Sequence, residues 1–391
     1  MEGDFIKINN RLTPLSWIYG GVVRLRNFCF DVGLLKSRAF RVPVIAVGNI
    51  TVGGTGKTPH VEYLVRLLHR YFHVAVLSRG YKRKTNGYLL AGESTTVSDI
   101  GDEPYQMKMK FKDISVAVDK KRTRGIDMLT ANDESINVIL LDDAFQHRYV
   151  KPGINILLVD YHRLIIHDKM LPAGRLREPL KGKDRADIVI ITKCPKSLKP
   201  MEFRVITRSM NLFPYQQLFF TTLKYDTPKA VYRDEELPLS GISSNDHIMM
   251  IAGIASPRQM EEDIRGMCNA RLKVLTFADH HNFSRKDIEH INSEFKAMSS
   301  PKHIITTEKD ATRIRATEGL SDEVKRHLYV LPVSIAFMQQ DQEEKFNDTI
   351  IGYVRKNSKN SILVMDKEQP KTQAPDNNND NKPKRISFKN F

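Results

Sequence analysis

Apolar residues fall into two kinds of run along this chain, and their spacing separates strands from helices. Short unbroken runs at 42–47, 74–77, 114–118, 138–141, 154–159 and 188–191 are rich in Val, Ile and Leu. Runs of that length without polar alternation predict strands buried on both faces of a parallel sheet. Between them, apolar residues recur at three- and four-residue intervals, as at Val61, Leu64, Val65 and Leu68, the spacing of one helix face. Strand and helix alternate in this way from 42 to about 210. The pattern predicts an α/β fold with helices on both faces of the sheet. In such folds ligands bind outside the carboxyl ends of the strands, so the loops after the strands are where chemistry is expected.

A second unit follows. Residues 219–225 read as an extended connector, broken by Asp226-Thr227-Pro228. Apolar strands resume at 248–253 and 272–277, a helical pattern covers 285–298, and another strand is expected at 303–307. Residues 328–335 predict a single closing strand that returns to the connector. From about 367 to 384 the chain is Lys, Asn, Asp, Gln and Pro, a composition expected to stay disordered.

The loop after the first strand carries the strongest chemical signal. Gly48 to Pro59 reads Gly-Asn-Ile-Thr-Val-Gly-Gly-Thr-Gly-Lys-Thr-Pro and lies between the first strand and the first helix of the sheet. Strand, glycine loop and helix in that order make a phosphate-binding loop. Glycines let backbone N–H groups turn around an anion, and the helix N-terminus adds partial positive charge. Gly53, Gly54, Thr55, Gly56, Lys57 and Thr58 are the nucleotide-binding candidates, with Lys57 for the β- and γ-phosphates and Thr58 for Mg²⁺. Position 51, where a first Gly is expected, is Thr. The partition is then a 1–40 N-terminal segment, a 41–218 P-loop NTPase-like α/β/α core, a smaller α/β unit at 219–355 and a tail at 356–391.

Charge narrows the partner. Net charge is +15 and pI is near 9.5, so an anionic partner is expected. No aromatic-basic RNA motif or helix-turn-helix pattern is present, and a nucleic-acid partner is not expected. Nothing in the pattern points to an obligate protein partner. Three cysteines, Cys29, Cys194 and Cys268, lie far apart with no CxxC, which argues against a disulfide framework or a zinc site. No apolar run reaches the length of a membrane span, and the N-terminus does not read as a cleavable signal. Residues 12–40 mix Leu15, Trp17, Ile18, Val22, Leu25 and Phe28 with Arg24, Arg26, Lys36 and Arg38. Aromatic and aliphatic residues among cations suit an interfacial helix on an anionic membrane surface.

Acids and bases sit at other strand ends. The strand 138–141 runs into Asp142-Asp143, a Walker-B arrangement that holds Mg²⁺ near a P-loop. Asp102-Glu103 opens a helix, and one of the two is a candidate general base. Arg79 lies in a dense basic turn, and the loop 171–179 carries Arg175, Arg177 and Glu178. These arginines can fork onto phosphate, and Glu178 can join a metal shell. Asp279-His280-His281 offers an acid with two imidazoles, without the spacing of a zinc site.

Taken in chain order, 48–59, 78–81, 101–104, 142–147, 172–179, 252–256, 277–283 and 307–311 resemble the motifs of the tetraacyldisaccharide 4'-kinases, the lipid A 4'-kinases of Gram-negative bacteria. The resemblance spans about 12 to 355. It implies transfer of the γ-phosphate of ATP, with Mg²⁺, to the 4'-hydroxyl of a tetraacylated glucosamine disaccharide 1-phosphate, giving lipid IVA. It implies two α/β/α units joined by a two-stranded linker, and a monotopic location at the cytoplasmic face of the bacterial inner membrane. By motif, Asp102 matches the catalytic base and His280 its partner in a dyad, and Asp142, Asp143 and Glu178 match the acidic metal and nucleotide cluster. Two positions depart from the pattern: Lys82 and Ala144 stand where Gly is usual. The rival is a regulatory P-loop ATPase or GTPase. Thr192-Lys193-Cys194-Pro195 comes near a guanine-reading element but has Pro at its last position.

Overall fold

The computed structural model describes residues 8–279 and 281–358. The tail expected to be disordered therefore lies outside the described residues from 359 onward. In chain order the strands are β1 (Val44–Gly48), β2 (Val74–Ser78), β3 (Leu89–Leu90), β4 (Ser115–Val118), β5 (Val138–Asp142), β6 (Ile154–Asp160), β7 (Ile188–Thr192), β8 (Gln217–Tyr225), β9 (Lys229–Ala230), β10 (His247–Ala252), β11 (Arg271–Thr276), β12 (Lys302–Thr306), β13 (Leu328–Val330) and β14 (Val333–Phe337). The large sheet runs β14-β8-β7-β6-β1-β5-β2-β4-β3, parallel except where β14 and β3 pair antiparallel at its edges. The smaller sheet runs β11-β10-β12-β13-β9, with only β9 antiparallel. The apolar runs become fully buried strands because helices cover both faces: Ile45, Val47, Ile139 and Leu141 are all inside.

The expected closing strand at 328–335 is two strands, not one. β13 pairs with β12 in the small sheet, and β14 pairs with β8 in the large one. Pro332 stands between them and has no N–H to donate to a ladder, so the pairing must stop there. Its carbonyl instead accepts from Asp226 N–H at 3.1 Å. The chain thus crosses between the sheets twice, side by side, at 226–228 and 331–332. After β14 the helix Gln340–Asn357 returns to the large sheet, where Phe346, Ile350 and Val354 join the cluster around Ile45 and Val47.

The N-terminal helix Thr13–Asp31 has two unlike faces. One is tied down: Ser16 Oγ accepts from Ala173 N–H at 2.9 Å, and Tyr19 donates its hydroxyl to the Arg177 carbonyl at 3.0 Å. The other exposes Leu15, Trp17, Ile18, Val22, Leu25 and Phe28, with Trp17 71% exposed. No helix among the described residues is long and apolar enough to cross a membrane.

Candidate active site

The phosphate loop closes β1 and opens the helix Lys57–Leu68. Gly56 is the helix N-cap with φ of +80°, a left-handed conformation that costs a side-chain-bearing residue about 1 kcal/mol. The loop is braced from below. Asn49 Nδ2 donates to Thr55 Oγ1 at 2.8 Å, and Thr192 Oγ1 donates to the Thr55 carbonyl at 3.0 Å. Burial pushes His60 down to about 4, so its neutral ring sits between the Gly56 carbonyl and Thr221 Oγ1 at 2.7 and 3.0 Å.

A cleft of about 480 Å³ opens over this loop. Gly53 to Thr58, Arg79, Glu103, Asp143 and Arg177 line it from the large sheet. Ala255, Ser256, Asp279 and Thr307 to Lys309 line it from the small one. Within it Lys57 Nζ lies 3.6 Å from Asp143, and Arg177 lies 3.7 Å from the same carboxylate. Thr58 donates its hydroxyl to Glu103 Oε1 at 3.4 Å, and Lys309 pairs with that oxygen at 2.5 Å. Burial lowers the proton affinity of Lys309, but the Glu103 carboxylate more than offsets it and the ammonium is held.

Asp142 ends β5 just beneath, 4% exposed. Burial first, then the charges of Glu103 and Asp143, push its carboxyl up to about 7, against a smaller pull from Lys57 and Lys309. Ser78 donates its hydroxyl to Oδ2 at 3.2 Å, while Oδ1 is buried with no partner. A carboxylate in this state is short of positive charge, which is what a divalent cation would supply. Among the described residues no three acidic, His or Cys side chains form a ready-made cation cage. That composition fits Mg²⁺, which is usually bound by one or two carboxylates together with substrate phosphates.

The small sheet reaches back to the large one through the helix Glu308–Arg315. Arg313 clamps Asp102 Oδ2 with Nη2 at 2.5 Å and Nε at 3.1 Å. The same guanidinium is held by Asp310 at 3.0 Å, and Asp310 accepts from Gly253 N–H at 2.8 Å. Lys110 bridges Glu62 and Glu308 at 2.5 and 2.8 Å. Asp102 thus lies at the junction of the two lobes, beside Glu103 but not itself among the cleft-lining residues.

The structure separates the remaining candidates. His280 lies outside the described residues. His281 is engaged locally, its Nε2 3.0 Å from Asp287 and its ring stacked on Phe277. Glu178 does not join the other acids. It is 2% exposed, pairs with Arg185 at 2.7 Å and does not line the cleft. Arg175 is exposed and contributes its backbone, its carbonyl accepting from Val52 N–H at 2.8 Å. Arg79 and Arg177 face the cleft. Lys309 and Arg313 carried no assignment in the sequence, and Glu103 was read only as one of two candidate bases. The position of 307–311 at a strand end hinted at Lys309 alone. A further basic group surrounds His147, which burial and then Arg122, Arg26 and Arg79 push down to about 4.

A family model described as tetraacyldisaccharide-1-P 4'-kinase (LpxK) matches residues 8–351. A protein of Phocaeicola vulgatus named tetraacyldisaccharide 4'-kinase is 54% identical over 365 residues, covering 92% of this chain and 99% of that one. One of Bacteroides thetaiotaomicron with the same name is 52% identical over 372 residues, covering 92% and 97%. The crystal structure of LpxK from Aquifex aeolicus in complex with ATP superposes with a TM-score of 0.67 at 28% identity, covering 88% of this chain and 99% of that chain.

Proposed function

The chain belongs to the tetraacyldisaccharide 4'-kinase family and is an ATP-binding kinase of that class, and we propose that it carries out in-line phosphoryl transfer in the cleft over Lys57. Its acceptor is a lipid A precursor disaccharide. We assign transfer to the 4'-hydroxyl of the tetraacylated 1-phosphate, a reading supported by the family description tetraacyldisaccharide-1-P 4'-kinase. The carrying observation is that one cleft gathers Lys57, Thr58, Glu103, Asp143 and Arg177 with the small-sheet residues Thr307 to Lys309.

Each residue has a physical task. The loop amides and Lys57 hold the phosphates and neutralise charge as it shifts toward the leaving oxygen. Asp102 takes the acceptor hydroxyl proton, and Arg313 fixes the orientation of its carboxylate. His280 is assigned as the partner of Asp102 by the family pattern. Thr58, Asp142 and Asp143 would hold Mg²⁺, with Glu103 beside them in place of Glu178. Mg²⁺, when bound, would supply neutralisation of the charge on the transferring phosphates. Arg79 and Arg177 face the anionic acceptor.

The exposed apolar face of the helix Thr13–Asp31 seats the protein on an anionic bilayer, at the cytoplasmic side of the inner membrane. The same helix bonds the backbone of Arg177, so the membrane side and the cleft are physically continuous. Acyl chains then stay in lipid while the sugar headgroup enters the cleft.

The test is turnover of Asp102→Asn with ATP, Mg²⁺ and the disaccharide lipid in mixed micelles, with His280→Ala alongside. Loss of a general base costs about 10²–10⁴ in kcat, and KM for ATP should stay within about threefold because Asp102 does not line the nucleotide cleft. Near-normal kcat in both variants would remove the assigned base.

A further inference from the structure

Thr192-Lys193-Cys194-Pro195, the near-miss of a guanine-reading element, has no part in the mechanism above. In the structure it lies directly under the phosphate loop. Lys193 follows β7 with φ of +57°, and its side chain is 9% exposed. Its ammonium stands 2.5 Å from the Gly54 carbonyl, 2.9 Å from Asp160 Oδ2 and 3.4 Å from Ser256 Oγ. Three acceptors meet three N–H donors, which is the full capacity of a lysine. A left-handed backbone at a residue with a long side chain costs of order 1 kcal/mol and persists only where its surroundings enforce it.

The consequence is geometric. Lys193 holds the Gly54 carbonyl, and the neighbouring Thr192 hydroxyl holds the Thr55 carbonyl. In a trans peptide the C=O and the following N–H point in opposite directions. Anchoring these two carbonyls toward β7 therefore aims the N–H groups of Thr55 and Gly56 away from it, toward the cleft. Preset amide donors bind an anion without first reorganising.

The third contact leaves the large sheet. Ser256 precedes the helix Pro257–Met267 of the second unit, and its side chain makes no cap bond to that helix. Beside it, Ala255 packs so closely on Gly54 that a Cβ added there would lie 3.1 Å from the Ala255 methyl carbon. The second unit thus touches the phosphate loop at adjacent points, Ala255 on the backbone and Ser256 on the lysine.

We propose that Lys193 is a positioning residue that presets the phosphate-loop amides and couples nucleotide occupancy to the second unit through Ser256. The proposal rests on the reading of 53–58 as the nucleotide loop. Pro195 removes the base-reading carboxylate of the guanine element, while the lysine half is kept for the loop.

The test uses the full chain in detergent, with Lys193→Met, Lys193→Arg and Ser256→Ala. Calorimetry gives Kd for ATP with Mg²⁺, and steady-state assays give KM for ATP and for the acceptor lipid. Lys193→Met should raise both ATP constants tenfold or more and change the acceptor KM less than twofold. Lys193→Arg should recover at least threefold of that loss. Ser256→Ala should raise the ATP Kd about threefold and abolish nucleotide-dependent hydrogen-exchange protection of the helix Pro257–Met267. Wild-type ATP affinity in Lys193→Met, or equal losses for ATP and acceptor, would overturn the role. If Lys193→Met does not fold, Ser256→Ala decides: unchanged ATP affinity and unchanged exchange overturn the coupling. Failure of the wild type to bind ATP would instead sink the nucleotide reading of the loop itself.

Discussion

Replacing Asp142 with Asn should stabilise the protein in the absence of nucleotide, and more so as pH rises. The carboxyl is buried at the end of β5, near Glu103 and Asp143, and is pushed up to about 7 from an ordinary value of 3.8. Between those two values the folded state holds a proton that the unfolded chain has released. Stability therefore falls with pH across that window, and the penalty is absent below it and complete above it. Going from 3.8 to about 7, at 1.36 kcal/mol per tenfold change in proton affinity, is a penalty of about 4 kcal/mol at pH 8, the smaller part of which has developed by pH 5. Asn carries no such penalty, and its amide oxygen can still accept from Ser78. The difference between Asp142→Asn and wild type should thus grow by about 2–3 kcal/mol from pH 5 to pH 8. For a cooperative unit of 150–250 residues that is roughly 4–12 °C in Tm. The assay is thermal unfolding of both proteins across pH 5–8.5 without nucleotide or divalent cation. Turnover should fall as stability rises, because Asn would replace a proposed Mg²⁺ ligand with an uncharged one. A difference that stays flat with pH, or shrinks toward pH 8, would refute the reasoning.

Other expectations follow from the same geometry. Lys57→Met removes the cation nearest the phosphates and should lower kcat by about 10²–10³, with Tm nearly unchanged because the 3.6 Å contact to Asp143 is long and partly exposed; phosphate release and thermal melting check both. Glu178→Gln should lower stability by about 1–3 kcal/mol by leaving Arg185 without its carboxylate, and should leave the Mg²⁺ dependence of turnover unchanged in a metal titration. Trp17→Asp combined with Leu25→Asp should weaken binding to anionic vesicles at least tenfold in a sedimentation assay, while turnover of micellar substrate stays within about twofold.

The sequence was most informative where structure is local. The phosphate loop is one contiguous stretch whose glycines and lysine lie within about a dozen residues, directly flanked by strand and helix, and its position after β1 could be read directly. The buried strands were equally plain, because parallel strands covered on both faces need unbroken apolar runs. The break at Pro332 was visible as a proline but not as a change of sheet, since only partner strands decide where each half pairs. Glu178 was ambiguous in the sequence. A Glu beside arginines fits either a metal shell or an ion pair, and the partner it pairs with, Arg185, is set by the fold. The clamp of Arg313 on Asp102 joins residues 211 positions apart and had no local signal. Lys193 was noticed for the element it fails to complete, whereas its contacts with Gly54 and Ser256 depend on how β7 lies beside the loop.

The most direct measurement is the site of transfer itself. The full chain is incubated with ATP, Mg²⁺ and the tetraacylated disaccharide 1-phosphate, and phosphorus-31 and proton NMR locate the new phosphate on the product. The account predicts a monoester at the 4'-position in wild type and none with Lys57→Met over the same time. A phosphate at another hydroxyl, or ATP hydrolysis with no phosphorylated lipid, would contradict it.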